Sequence, residues 1–135
     1  MYKGLGHIAL TVADMDASIA FYCDKLGFEE AFSIDDDEGN PWIEYIKVAP
    51  GQFIELFHGG RVHVETAPGS IGFNHLCVEV TDMAMLVRHL KEQGITIDVG
   101  PLRGKDFNEQ CWVTDPDGNP IEFMALDPRS PHMNS

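Results

Sequence analysis

No stretch of this chain approaches the roughly 20 apolar residues of a membrane-spanning helix, and the N-terminus shows no basic segment leading into an uninterrupted apolar run and cleavage site. A soluble, cytoplasmic protein with no membrane partner is expected. Positive charge is scarce: 9 Lys and Arg stand against 22 Asp and Glu, a formal net charge of −13. Such a field repels phosphate backbones and anionic lipid surfaces, which excludes nucleic acid as an expected partner. Cysteine is sparse too. Cys23, Cys77 and Cys111 are odd in number, far apart and without CxxC spacing, so they read as reduced, packed thiols.

What is present is ordinary globular material. The 135 residues are 44% hydrophobic and 23% charged, enough for one domain that buries roughly two thirds of its extended-chain surface. The acidic run "DDDEG" (35–39) reads as a solvated turn.

A repeat organises the chain. "GHIALTVADMDASIAFYCDKLGF" (6–28) aligns with "NHLCVEVTDMAMLVRHLKEQGI" (74–95), His7 with His75, Asp14 with Asp82, Met15 with Met83 and, after one gap, Gly27 with Gly94. The offset is 68 at the histidines and 67 at the glycines. Each copy opens with a β-rich run and reaches an Asp suited to cap a helix. Apolar residues then follow at helical spacing, Met15, Ile19, Tyr22 and Leu26 in one copy, Met83, Leu86, Val87 and Leu90 in the other. Gly27 and Gly94 supply the left-handed helix stop. Strands are expected near 28–34, 41–49 and 52–58, and again near 95–99, 109–114 and 119–126, with "DPDGNP" (115–120) as the last turn. The predicted fold is α+β, two βαβββ modules over about 4–58 and 73–126, joined by a linker at 59–72 and followed by a frayed tail from 127 to 135.

One residue breaks the strand pattern in each module. In "FIELF", Glu55 lies among Phe53, Ile54, Leu56 and Phe57; the 67-residue offset leads to Glu122, wedged likewise in "NPIEFMA". An ionised carboxylate withdrawn from water costs several kcal/mol unless it is paired. A single strand His is more often a hydrogen-bonded structural residue, and a single strand Glu more often faces solvent. Two of each at matched slots favour a shared role: His7, Glu55, His75 and Glu122 make a set of N and O ligands for a divalent ion such as Zn, Ni, Fe, Co or Mn. A thiolate site would want paired cysteines and a calcium loop closely spaced acids. His58, His63, His89 and His132 lack such matching and read as structural, as do Asp115 to Asn119, a tight turn before the Glu122 strand.

These segments, together with "VTDPDGNPIEF", resemble the recurrent segments of the vicinal oxygen chelate superfamily and its glyoxalase I-like branch, from about residue 4 to about residue 126. The resemblance implies an open, cup-shaped mixed sheet around the ion, usually in a homodimer whose sites combine modules from one chain or two. It assigns His7, Glu55, His75 and Glu122 as metal ligands, with Ni or Zn foremost and Fe, Co or Mn as alternatives. The implied chemistry is proton abstraction beside a carbonyl with an enediolate stabilised, Glu122 being the first choice of base and Glu55 the second. In glyoxalase I the small-molecule substrate is the hemithioacetal of methylglyoxal and glutathione, and the enzyme is a lactoylglutathione lyase. This chain departs from that pattern at the glutathione clamp, where Thr11 and Gly59 stand in place of Arg and Asn. Arg61, Arg103 and Lys105 offer an alternative anion grip, although exposed loop basics more often serve solubility, and Phe107 and Trp112 are candidate substrate-facing aromatics or core residues. Rival readings within the same superfamily are an epimerase, an iron-dependent extradiol-type dioxygenase, a metal-free bleomycin-resistance binding protein, and a thiol transferase of the fosfomycin-resistance kind.

Overall fold

The computed structural model describes residues 1–64 and 67–135, in two compact units, Met1–Gly69 and Ser70–Ser135. The first unit runs β1 (His7–Thr11), helix α1 (Met15–Ile19) continuing into a π-helical turn (Ala20–Lys25), then β2 (Glu29–Asp35), β3 (Pro41–Ala49) and β4 (Gln52–Phe57). The second runs β5 (Leu76–Glu79), α2 (Met83–Glu92), β6 (Val99–Arg103), β7 (Glu109–Thr114), β8 (Pro120–Ala125) and a closing 3₁₀ turn (Pro131–Asn134). Sheet order is β1-β4-β3-β2 in one unit and β5-β8-β7-β6 in the other. Only the first strand of each unit, paired with its last, is parallel. The fold is the expected α+β repeat of βαβββ. No helix among the described residues is long and apolar enough to cross a membrane.

Both helices begin and stop where the sequence dictates. Asp14 Oδ1 accepts from Ala17 N–H at 3.1 Å and Asp82 Oδ1 from Met85 N–H at 2.8 Å, each satisfying an otherwise orphaned donor. Gly27 and Gly94 sit at φ 84° and 67°, the left-handed conformation only glycine adopts cheaply. The α2 stop is a Schellman turn, with Gly94 N–H on the Lys91 carbonyl (3.1 Å) and Ile95 N–H on that of Leu90 (2.8 Å). In unit 1 the outer bond spans one residue more, from Phe28 N–H to the Tyr22 carbonyl (3.0 Å). The change of offset from 68 to 67 thus has a physical location: the extra residue between cap and glycine is absorbed as the π turn.

Each core lies on one side of its sheet, with Val12, Tyr22, Ile46, Ile54 and Leu56 fully buried in unit 1, and Leu90, Cys111, Val113, Ile121 and Phe123 in unit 2. At roughly 1.5–3 kcal/mol for each large side chain so buried, these rows set the register. Three sequence expectations change. β6 occupies Val99–Arg103 rather than 95–99, because Ile95 spends its N–H on the helix stop and packs its side chain inside. Only Cys111 is a packed thiol; Cys77 is exposed and Cys23 intermediate, and all three are free.

The segment from 127 onward is pinned rather than frayed. Asp127 takes Arg103 Nη1 at 2.8 Å and Arg129 Nε and Nη2 at 2.9 and 3.0 Å. Its N–H donates to the fully buried Asn108 at 3.0 Å, and Ser130 is itself buried. The Arg129 side chain and backbone N–H, then Arg103, hold the Asp127 carboxyl well below the usual carboxylate range. A carboxyl depressed on folding stabilises the fold above its unfolded pKa of about 3.9 and loses that contribution as pH falls below it. Asp127→Asn is therefore expected to unfold at lower temperature than the wild type at pH 7, with the gap closing below about pH 4, as thermal melts across pH will show.

Candidate functional site

Strand alternation places both awkward glutamates. On β4, Ile54 and Leu56 face the core, so Glu55 lies in the opposite row, between Ala9 of β1 and Tyr45 of β3. On β8, Ile121 and Phe123 face the core, and Glu122 lies between Cys77 of β5 and Trp112 of β7. The flanking positions obey the same offsets as the repeat, 68 from Ala9 to Cys77 and 67 from Tyr45 to Trp112. The two carboxylates occupy equivalent slots of two separate sheets. Although both point away from the cores, Glu55 is only 5% exposed and Glu122 only 7%.

Each has its module's histidine beside it. His7 Nδ1 is 3.3 Å from Glu55 Oε1, and His75 Nε2 is 3.1 Å from Glu122 Oε2. These contacts offset the cost of burying a carboxylate. They also bring together a hard oxygen and a borderline nitrogen, a donor pair suited to a divalent transition metal. Among the described residues no three His, Cys, Asp or Glu side chains gather closely enough to hold an ion; what each unit brings together is one pair of donors.

Three neighbours of these pairs escape a reading of motifs. Tyr45, directly across from Glu55, hydrogen-bonds its carboxylate; that bond, then burial and the carboxylate charge, raise the phenol pKa. Its ring also lies edge-on to His7 at 6.4 Å and stacks on Phe32 at 4.2 Å, with Phe53 at 6.1 Å from both aromatic rings. Cys77, across from Glu122, has its thiol pushed up to about 12, first by burial, then by the Glu122 charge and a hydrogen bond to it. Cys77 therefore stands as a neutral thiol donor. Asn74 Oδ1 lies 2.6 Å from His75 Nδ1. The repeat offset, applied to the flanks of each glutamate as well as to the glutamates, would have singled out the Tyr45 and Trp112 slot.

The candidate substrate contacts separate into two groups. Trp112 shares the row of Glu122 and meets the His75 ring edge-on at 4.7 Å. Arg103 instead pairs with Glu109, in the row of the core residues Cys111 and Val113, and its guanidinium is committed to Asp127 and, at 3.1 Å, to the Phe107 carbonyl. It clasps the C-terminal segment rather than waiting for an anion. Phe107, at φ 72°, lies under the Arg129 guanidinium at 5.0 Å, and Lys105 is exposed in the same loop. Thr11 follows His7 and Ala9 along their exposed row of β1, and Gly59 sits at φ 90°.

Donation of Nδ1–H to Asn74 Oδ1 would select the Nδ1–H tautomer of His75 and leave the Nε2 lone pair for a cation rather than for the Glu122 carboxylate, itself an acceptor. Long-range ¹H–¹⁵N spectra are expected to show that tautomer in the wild type near pH 8 and a mixture of tautomers in Asn74→Ala.

Comparison with known proteins bears on the family and the fold. The profile described as "Glyoxalase/Bleomycin resistance protein/Dioxygenase superfamily" matches residues 4–123. The protein YaeR of Escherichia coli, itself uncharacterised, is 32% identical over 90% of this chain and 95% of its own length. A probable lactoylglutathione lyase of Synechocystis is 28% identical over 87% of this chain and 92% of its own. The crystal structure of a glyoxalase family protein from Enterococcus faecalis superposes with a TM-score of 0.77 at 27% identity, covering 91% of this chain and 98% of that one.

Proposed function

Because the chain belongs to the Glyoxalase/Bleomycin resistance protein/Dioxygenase superfamily, we propose that it is a metal-dependent lyase or isomerase of the glyoxalase I type, acting on a small α-oxo-derived substrate. The observation that carries this reading is the pair of buried carboxylates in identical sheet slots, each within 3.1 to 3.3 Å of an imidazole nitrogen. His7, Glu55, His75 and Glu122 are the proposed metal ligands, with one divalent cation per site, Ni or Zn, in a cytoplasmic homodimer. When bound, the cation supplies Lewis-acid polarisation of the oxygens beside the reacting carbon. The protein's own part is to move the proton. Glu122 takes it from the carbon next to the carbonyl and returns it to the neighbouring carbon, a transfer worth about 10²–10⁴-fold when a carboxylate is so positioned. Trp112, in the row of Glu122, lines the substrate side.

Thr11 and Gly59 leave glutathione ungripped at the usual clamp, and Arg103 is already bound to Asp127. Dependence on the thiol is accordingly the first property to measure. Elemental analysis of the purified protein is expected to find about one divalent ion per pair of modules, and its removal by chelator to abolish turnover. With methylglyoxal assayed with and without glutathione, Glu122→Gln is expected to lower kcat at least about 100-fold. Oxygen consumption with Fe would instead mark a dioxygenase. A metal-free protein that binds ligand stoichiometrically without turnover would mark a binding module and overturn the enzymatic reading.

A further inference from the structure

The two modules place their donor pairs in the same slots but support them in opposite ways. In unit 1 the position across the sheet from the carboxylate is Tyr45, whose phenol hydrogen-bonds Glu55; the position before the histidine is Gly6, which has no side chain to offer. In unit 2 the equivalent cross-strand position is Trp112, packed edge-on against His75, and the equivalent position before the histidine is Asn74, whose amide oxygen holds the His75 ring at 2.6 Å. Unit 1 therefore secures its carboxylate and unit 2 its imidazole. What remains on Glu122, besides His75, is the thiol of Cys77, a weak donor beside a phenol.

We infer that Tyr45 is a positioning residue that locks Glu55 as the fixed carboxylate of its donor pair, a support for which Glu122 has no equivalent phenol. This rests on the metal-site reading above and deepens it. The phenol O–H donates to Glu55 and orients its remaining lone pairs, while the stack of Tyr45 on Phe32 and the edge contact with His7 prevent the ring from swinging aside. A hydrogen bond of this kind behind a ligand typically governs about 10–100-fold in metal affinity.

The test is nickel and zinc affinity of the full chain, by competition with a chromophoric chelator, in a double-mutant cycle. Tyr45→Phe keeps the ring and removes the donor; it is expected to weaken binding by about 10-fold or more, to add nothing further when Glu55 is already Gln, and to multiply the loss caused by Glu122→Gln. Tyr45→Trp, which installs the residue unit 2 uses in this slot, is expected to behave as Tyr45→Phe and serves should that variant not fold. Wild-type affinity in Tyr45→Phe, or a loss that multiplies with Glu55→Gln as fully as with Glu122→Gln, would overturn the inference. If Glu55→Gln and Glu122→Gln themselves bind as the wild type does, the metal site falls and this inference with it. If they weaken binding and Tyr45→Phe does not, only the positioning role falls.

Discussion

The structure turns on a buried carboxylate held beside a part-exposed imidazole, and on doing so twice. A buried charge is the most expensive thing a small sheet can carry, and a strand offers one way to manage it. Alternation hands Ile54 and Leu56, or Ile121 and Phe123, to the core, and delivers the intervening glutamate to the other face, where the first strand brings its histidine alongside. The parallel pairing of first and last strands is what makes this possible. It sets β1 against β4 and β5 against β8 in registers that leave His7 and His75 within hydrogen-bonding distance of Glu55 and Glu122.

Repetition fixes positions, and divergence fixes roles. Cross-strand slots and cap residues follow the same offsets through both modules, so each donor pair inherits the same geometry. The side chains around those pairs follow no such rule: phenol against indole, glycine against asparagine, alanine against thiol. A symmetric scaffold is thereby fitted with an asymmetric set of supports. Asymmetry of this sort is what lets one of two chemically identical carboxylates act differently from the other.

Much of this was legible beforehand because the informative residues are local in their demands. Asp14, Asp82, Gly27 and Gly94 act on the backbone within one helical turn, and the violated alternation at Glu55 and Glu122 needs only its immediate neighbours. Ile95 has β character, yet its N–H is claimed by the Leu90 carbonyl, so the strand after α2 begins later than composition suggests. The polar composition of the tail says nothing of a partner as distant as Arg103, 24 residues before Asp127. Tyr45 escapes a reading of motifs for the same reason. A hydrogen bond across strands follows from register, and register becomes visible only once the strands are paired.

The π turn has a consequence for how this chain tolerates changes of length. An extra residue inserted in a strand would flip every later side chain to the wrong face, and would carry Glu55 from its own row into that of Ile54. Accommodated between Asp14 and Gly27, the surplus residue is taken up as a wider coil, and the strands downstream keep their parity. The helical stretch works as an expansion joint, giving way in length so that the faces of the sheet never have to.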